Sequence, residues 1–120
     1  MKLLVSLITL ILLSNTNVNE NIFYGKWTLC NIECEEQTSY FNVCSEIIFE
    51  KENNGYLILQ QNKIEFNYYL DKENNQIKID FKEKQNLINQ NTLYYKFNCS
   101  NELILHSKDG CDYILNKKYV

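Results

Sequence analysis

Residues 64–71 read Ile64-Glu65-Phe66-Asn67-Tyr68-Tyr69-Leu70-Asp71, and this stretch decides the fold. Apolar Ile64, Phe66, Tyr68 and Leu70 alternate with Glu65, Asn67, Tyr69 and Asp71. A period of two places the first set on one face of an extended strand and the second on the other, so the segment is a strand with one buried face. The next run, residues 76–81, repeats the pattern, with Ile77, Ile79 and Phe81 set against Lys78 and Asp80. Working outward, strand-like runs are predicted at 24–35, 43–50, 56–61, 92–98, 102–107 and 111–116, rich in the Tyr, Phe and Ile that favour strands.

The punctuation between runs is Asn, Gly, Asp and Lys; Pro is absent. Asn53-Asn54-Gly55 and Asp109-Gly110 are the strongest hairpin signals, since Asn-Gly and Asp-Gly accept the positive φ of a type I′ turn. Tight turns are expected at Asn74-Asn75 and Ser100-Asn101, and longer polar loops at 36–42 and 83–91. No segment keeps helical spacing over the length a helix needs. Eight short antiparallel runs, each with one apolar face, hide that face best in a sheet closed on itself. The expected fold is all-β, an eight-stranded antiparallel up-and-down barrel, with a two-sheet sandwich second.

Composition limits the function classes. The chain has 120 residues, 45% hydrophobic and 13% aromatic, so it can bury a core and is unlike a disordered segment. All its basic residues are Lys, and the formal net charge is −3. A basic face or bidentate Arg contacts to nucleic acid are therefore not expected. Met1-Lys2 followed by the apolar run 3–13 has the charged start and length of a secretory signal. It is shorter than the roughly 20 residues that span a bilayer. Residues 1–16 are taken as signal peptide, 17–23 as an Asn-rich flexible leader, and 24–120 as one barrel domain, secreted or periplasmic and without a transmembrane anchor.

Gly25-Lys26-Trp27 opens the first of the eight strands and resembles the Gly-x-Trp signature of the lipocalins. Together with Ile47-Ile48-Phe49 before an Asn-Gly turn, and Leu103-x-Leu105 followed by Tyr113-Ile114-Leu115, it makes residues 24–118 similar to small bacterial lipocalin-like domains. The resemblance implies that Gly25 and Trp27 close one end of the barrel. Lipocalins place an Arg from near the last strand over that Trp, where this chain offers Lys117 or Lys118, and their Thr-Asp-Tyr-like motif has no good match here. The resemblance also implies a small apolar ligand, held at the end away from Trp27. In the meander both long loops fall at that end and form a mouth. Phe49, Phe66, Tyr68, Phe81, Tyr95, Phe97 and Tyr113 point inward and are the candidate ligand wall. The same rings can instead fill a small barrel outright. In that case the function would be a protein-interaction module, such as a protease inhibitor or envelope assembly factor, using the mouth loops or an outward stripe including Ile48, Tyr69 and Ile104.

Five cysteines in an exported chain read first as disulfides. On the meander Cys34, Cys44 and Cys111 lie near the mouth with Cys30 slightly below. Cys99 lies a strand length away, roughly 20 Å, whereas a bridge needs Cα atoms within about 7 Å. Cys99 is expected to be free. Three pairings remain for the other four, and Cys30–Cys44 with Cys34–Cys111 is favoured because the first strand neighbours both the second and the eighth. A thiolate metal site at Cys30, Cys34 and Cys44 lacks the tighter C-x₂-C knuckle, so no metal and no cofactor are expected. His106, the one histidine, falls on an outward face as a solvated side chain with no nucleophile beside it. Glu35-Glu36 and Glu50 with Glu52 read as solubility charges. Asn98-Cys99-Ser100 fits the N-glycosylation pattern, relevant only in a eukaryote. No enzymatic activity is expected.

Overall fold

The computed structural model describes residues 22–35 and 38–118. The expected signal peptide and leader, up to residue 21, lie outside the described residues. Eight strands follow in chain order: β1 (Gly25–Cys34), β2 (Thr38–Glu50), β3 (Asn54–Leu59), β4 (Asn62–Asp71), β5 (Gln76–Phe81), β6 (Thr92–Cys99), β7 (Glu102–His106) and β8 (Cys111–Lys117). Each pairs antiparallel with the next, and β8 returns to β1, closing the barrel. The architecture is the all-β up-and-down barrel that the alternation predicts.

β4 shows why the sequence folds this way. Ile64, Phe66 and Tyr68 are buried while Glu65 and Tyr69 are exposed. Its register against β5 sets Phe66 opposite Phe81, Tyr68 opposite Ile79 and Leu70 opposite Ile77, so two apolar faces meet on the same side. Fully burying one such side chain contributes about 1.5–3 kcal/mol before conformational entropy is subtracted. Slipping either strand by one residue would turn these side chains to water.

Three boundaries differ from the sequence reading. The first is at the mouth, where the expected loop 36–42 is mostly strand. β2 begins at Thr38 and pairs with β1 through Asn31–Tyr40, Ile32–Ser39 and Glu33–Thr38. The pairing is interrupted between Leu29–Ser45 and Asn31–Tyr40, where Cys30 faces residues 41–44 of β2 across a bulge, and β1 shifts register against β8 at the same residue. The bulge lets a polar-looking segment rejoin the ladder, so the mouth has one long loop, not two.

The second difference is the Asn53-Asn54-Gly55 turn. The positive φ angles fall at Glu52 (66°) and Asn53 (63°), and Asn54 and Gly55 already belong to β3. Gly55 is buried between Phe49 and Phe66 on the neighbouring strands. A Cβ there would lie 2.2 Å from the Ile48 carbonyl oxygen and 2.6 Å from Phe66 Cζ. The glycine serves a close approach of ring to backbone and not the turn itself.

The third is the leader, whose last two residues belong to the barrel. Phe23 is fully buried in the core, because an aromatic ring at the closed end removes more apolar surface from water than solvated chain could. The other expected strands match to within one or two residues at their ends.

Candidate functional site

The closed end is built around Trp27. Its indole ring is fully buried and its Nε1–H donates to the Phe23 carbonyl at 2.9 Å. Lys117 on β8 brings its Nζ to 4.7 Å from the Trp27 ring centroid. The same ammonium donates to the carbonyls of Tyr24 and, at 3.4 Å, Ile22. Of the two lysines offered there, Lys117 is the one that stands over Trp27, holding the N-terminal approach to β1 by charge-assisted hydrogen bonds and a cation–π contact. Desolvation lowers its pKa below the ordinary lysine value. Gly25, at φ 120°, leaves room for this chain: a Cβ there would stand 2.9 Å from Lys117 Nζ.

Above this base lies a lattice of aromatic rings. Phe49 meets Phe66 at 5.6 Å and Tyr68 at 5.0 Å, and Phe66 meets Phe81 at 5.5 Å, all edge to face. On β6, Tyr95 meets Phe97 at 6.3 Å. Phe23 joins the two groups, at 5.7 Å from Phe49, 5.0 Å from Tyr95 and 4.9 Å from Phe97. Edge-to-face pairs of this kind contribute about 0.5–1.5 kcal/mol beyond their burial. Six of the seven residues expected to line a ligand wall therefore pack on one another through a seventh ring that the sequence reading left in the leader. Tyr68 also donates its hydroxyl to the Glu50 carbonyl at 2.8 Å. Burial raises the pKa of Tyr95, and the negative charge of Asp71 adds to the effect.

Tyr113, the remaining candidate, is buried toward the mouth, where the backbone of Asn89 bonds its hydroxyl. Burial raises its pKa; that hydrogen bond works the other way, and the charge of Asp109 adds to the rise. Asn89 belongs to the long loop, which folds inward. Ile88 is 2% exposed within the core cluster and Leu87 packs against it. Gln85 holds the turn: its Oε1 accepts from the N–H groups of Leu87 (2.9 Å) and Ile88 (2.8 Å), and its Nε2 donates to the Ile88 carbonyl. The mouth is stoppered by the loop that was expected to frame it. The signal was an apolar pair, Leu87-Ile88, stranded in polar text.

The loop also frames a cleft of about 480 Å³ against the mouth end of β5. β5 pairs with β6 only through Gln76, Ile77 and Lys78. One residue further, Ile79 donates its N–H to the Asn91 carbonyl at 2.7 Å, which carries the same register into the end of the loop; beyond that the ladder stops.

The outer face of β4–β7 carries two smaller clefts. One of about 230 Å³ is lined by Tyr69, Gln76 and Lys78, among others, and one of about 330 Å³ by Tyr94, Lys96, Ile104 and His106. Gln76 and Tyr94 are a cross-strand pair, so the two clefts are neighbours. Tyr69 is 50% exposed and Tyr94 38%. His106 lies on this face as expected, but it is not simply solvated: its Nδ1 is 2.5 Å from Asp112 Oδ1 across the β7–β8 pair. The adjacent Ser107 is fully buried and donates its hydroxyl to the Asp109 carboxylate.

The structure joins Cys30 to Cys44 and Cys34 to Cys111, with Cα separations of 4.5 and 4.0 Å, and leaves Cys99 exposed as a free thiol. These are the bridges that strand adjacency favoured, and two disulfides fit an oxidising compartment. Among the described residues no cluster of His, Cys, Asp and Glu is arranged to hold a metal ion, and no helix is long and apolar enough to cross a membrane.

No protein-family model and no curated protein matches the sequence. Solved structures do match in shape. A lipocalin-like protein from Bacteroides uniformis superposes with a TM-score of 0.64 at 17% identity, over 81% of this chain and 99% of that one. A DUF4847 family protein from Bacteroides vulgatus gives 0.63 at 13% identity, over 84% and 97%. An uncharacterized protein from Bacteroides eggerthii gives 0.62 at 14% identity, over 80% and 99%. With the closed eight-strand meander, the Trp27 plug and the cation above it, these likenesses give the chain the fold of the bacterial lipocalin-like barrels.

Proposed function

We propose that this chain is an exported, non-catalytic binding protein that recognises a protein partner through the outer face of its barrel. The observation that carries the reading is the contrast between inside and outside. The interior is occupied by its own rings and by Ile88, while two exposed tyrosines border neighbouring clefts on one face. Tyr joins a large apolar ring to a hydroxyl and is over-represented among residues that dominate binding energy. Ile104 and the His106–Asp112 pair lie beside Tyr94, so the face mixes apolar area with orienting polar groups, as interface cores and rims do. Export rests on the charged start and apolar run 1–13, and the two disulfides support it. Carriage of an apolar molecule inside the barrel would require Ile88 or part of the ring lattice to leave.

Native mass spectrometry of protein purified from its own source tests the reading. A second polypeptide is expected to travel with the chain and to be lost from the Tyr69→Ser/Tyr94→Ser variant. Truncation of each anchor tyrosine should weaken binding by about 2 kcal/mol, some thirtyfold. A retained apolar small molecule with no protein partner would overturn the proposal, and so would a cytosolic chain with reduced cysteines.

A further inference from the structure

We propose that the cleft framed by residues 80–91 is a binding site for a neutral, polyhydroxylated small molecule, a mono- or disaccharide in chemical class. Its volume of about 480 Å³ falls in the range of small-molecule sites. The walls come from one continuous segment, from Asp80 at the end of β5 to Asn91 ahead of β6.

Three properties of the wall select the ligand. Asn86, Asn89 and Asn91 line the cleft and are exposed. Each side-chain amide offers a donor and an acceptor side by side, the pattern that matches a hydroxyl, which is itself both. Charge is the second property. Asp80 and Glu83 are offset by Lys82 and Lys84, and Lys82 lies 3.9 Å from Glu65 as well. The cleft carries no net charge and has no reason to prefer an anion or a cation. Third, Phe81 lines the cleft and is only partly buried, so it contributes apolar surface against which the C–H face of a sugar ring can lie.

The site is also held in shape before any ligand arrives. Gln85 fixes the turn by its three hydrogen bonds, Ile88 anchors the loop in the core, and the backbone of Asn89 is bonded to Tyr113. Ordering a loop on binding costs affinity, and here that ordering belongs to the fold. The outer-face proposal concerns a different surface, so either can fail without the other.

The test is a backbone-amide NMR titration of the oxidised protein with maltose, lactose and cellobiose, and with glucuronate and glucosamine as charged comparators. At least one neutral sugar is expected to give saturable shifts confined to residues 80–91, with a Kd of about 1 mM, corresponding to roughly −4 kcal/mol. The Asn86→Ala/Asn89→Ala variant should lose these shifts while keeping its dispersed spectrum. Asn86→Ala alone, expected to weaken binding severalfold, serves if the double variant does not fold. Absence of saturable shifts with all three neutral sugars would overturn the proposal. So would shifts that survive in the variants, or tighter binding of either charged comparator.

Discussion

Truncating Ile88 to Ala tests whether the long loop is a stopper or only a surface excursion. Ile88 is 2% exposed and belongs to the main core cluster, although its neighbours Asn86 and Asn89 are exposed. The substitution removes buried carbons worth about 2.4 kcal/mol at ~0.8 kcal/mol each. A residual void adds to this, and the loop can settle to recover some, so a total near 3 kcal/mol is expected, within the usual 2–5 for such truncations. With a urea m-value of about 1.5 kcal/mol/M, the unfolding midpoint should fall by roughly 2 M with the slope unchanged. Asn86→Ala, two residues away on the solvent side, should stay within about 0.5 kcal/mol. The assay is urea unfolding followed by Trp27 fluorescence, on oxidised protein. If Ile88→Ala shifted the midpoint no more than Asn86→Ala, the loop would not be docked, the barrel would be open at that end, and the claim of a filled interior would fail.

Gly55→Ala should destabilise strongly, by about 3 kcal/mol or more, or prevent folding. Its methyl would sit 2.2 Å from a backbone oxygen that cannot move without breaking the β2–β3 ladder, and thermal unfolding would show it. Loss of Cys34–Cys111, which spans 77 positions, should cost about 4.5 kcal/mol by the chain-entropy relation, against about 3 for Cys30–Cys44, which spans 14. Separate Cys→Ala pairs compared by thermal melting check the order, and equal losses would count against loop length as the cause. Tyr113→Phe tests the sign of the phenol's shift. Burial raises the folded-state pKa above 10.0, so the folded state holds the proton longer than the unfolded state. The stability from that shift is complete below pH 10 and is lost as pH rises through the folded-state value. The wild-type midpoint should therefore fall more steeply above pH 10 than that of Tyr113→Phe. Parallel curves would refute the assignment.

Alternation on β4 and β5 was enough to read the barrel, because a strand with one apolar face leaves few ways to hide it. Strand adjacency carried the disulfide pairing for the same reason: closure puts β1 between β2 and β8. What escaped the sequence lies where the period of two is broken. The bulge at Cys30 changes which residues of β1 face inward, and it let residues 38–42 pass for loop. Phe23 sits in the short run Ile22-Phe23-Tyr24 and Ile88 in the pair Leu87-Ile88, both too short for a periodicity to mark them, and only tertiary packing shows that each closes an end of the barrel. Lys117 could be proposed from the likeness to lipocalins, but choosing it over Lys118 needed the geometry: Lys118 instead places its Nζ 3.6 Å from Glu46. The outer face was half legible. Tyr69 and Ile104 stood out by alternation, whereas Tyr94 and the His106–Asp112 pair joined them only once the register of β6, β7 and β8 was known.

The seam between β1 and β8 sets the order in which the chain can be finished. A polypeptide emerges from the ribosome, or through a translocation channel, amino end first, so β1 must wait for nearly everything else before its last neighbour appears. During that wait Cys30 and Cys34 stand together with Cys44 within reach and Cys111 still absent. A premature Cys34–Cys44 link, or later capture by Cys99, would bar closure until it was reshuffled. The sheet is thus sewn shut by its final strand, and a chain that has formed a premature link can close only after thiol exchange undoes it.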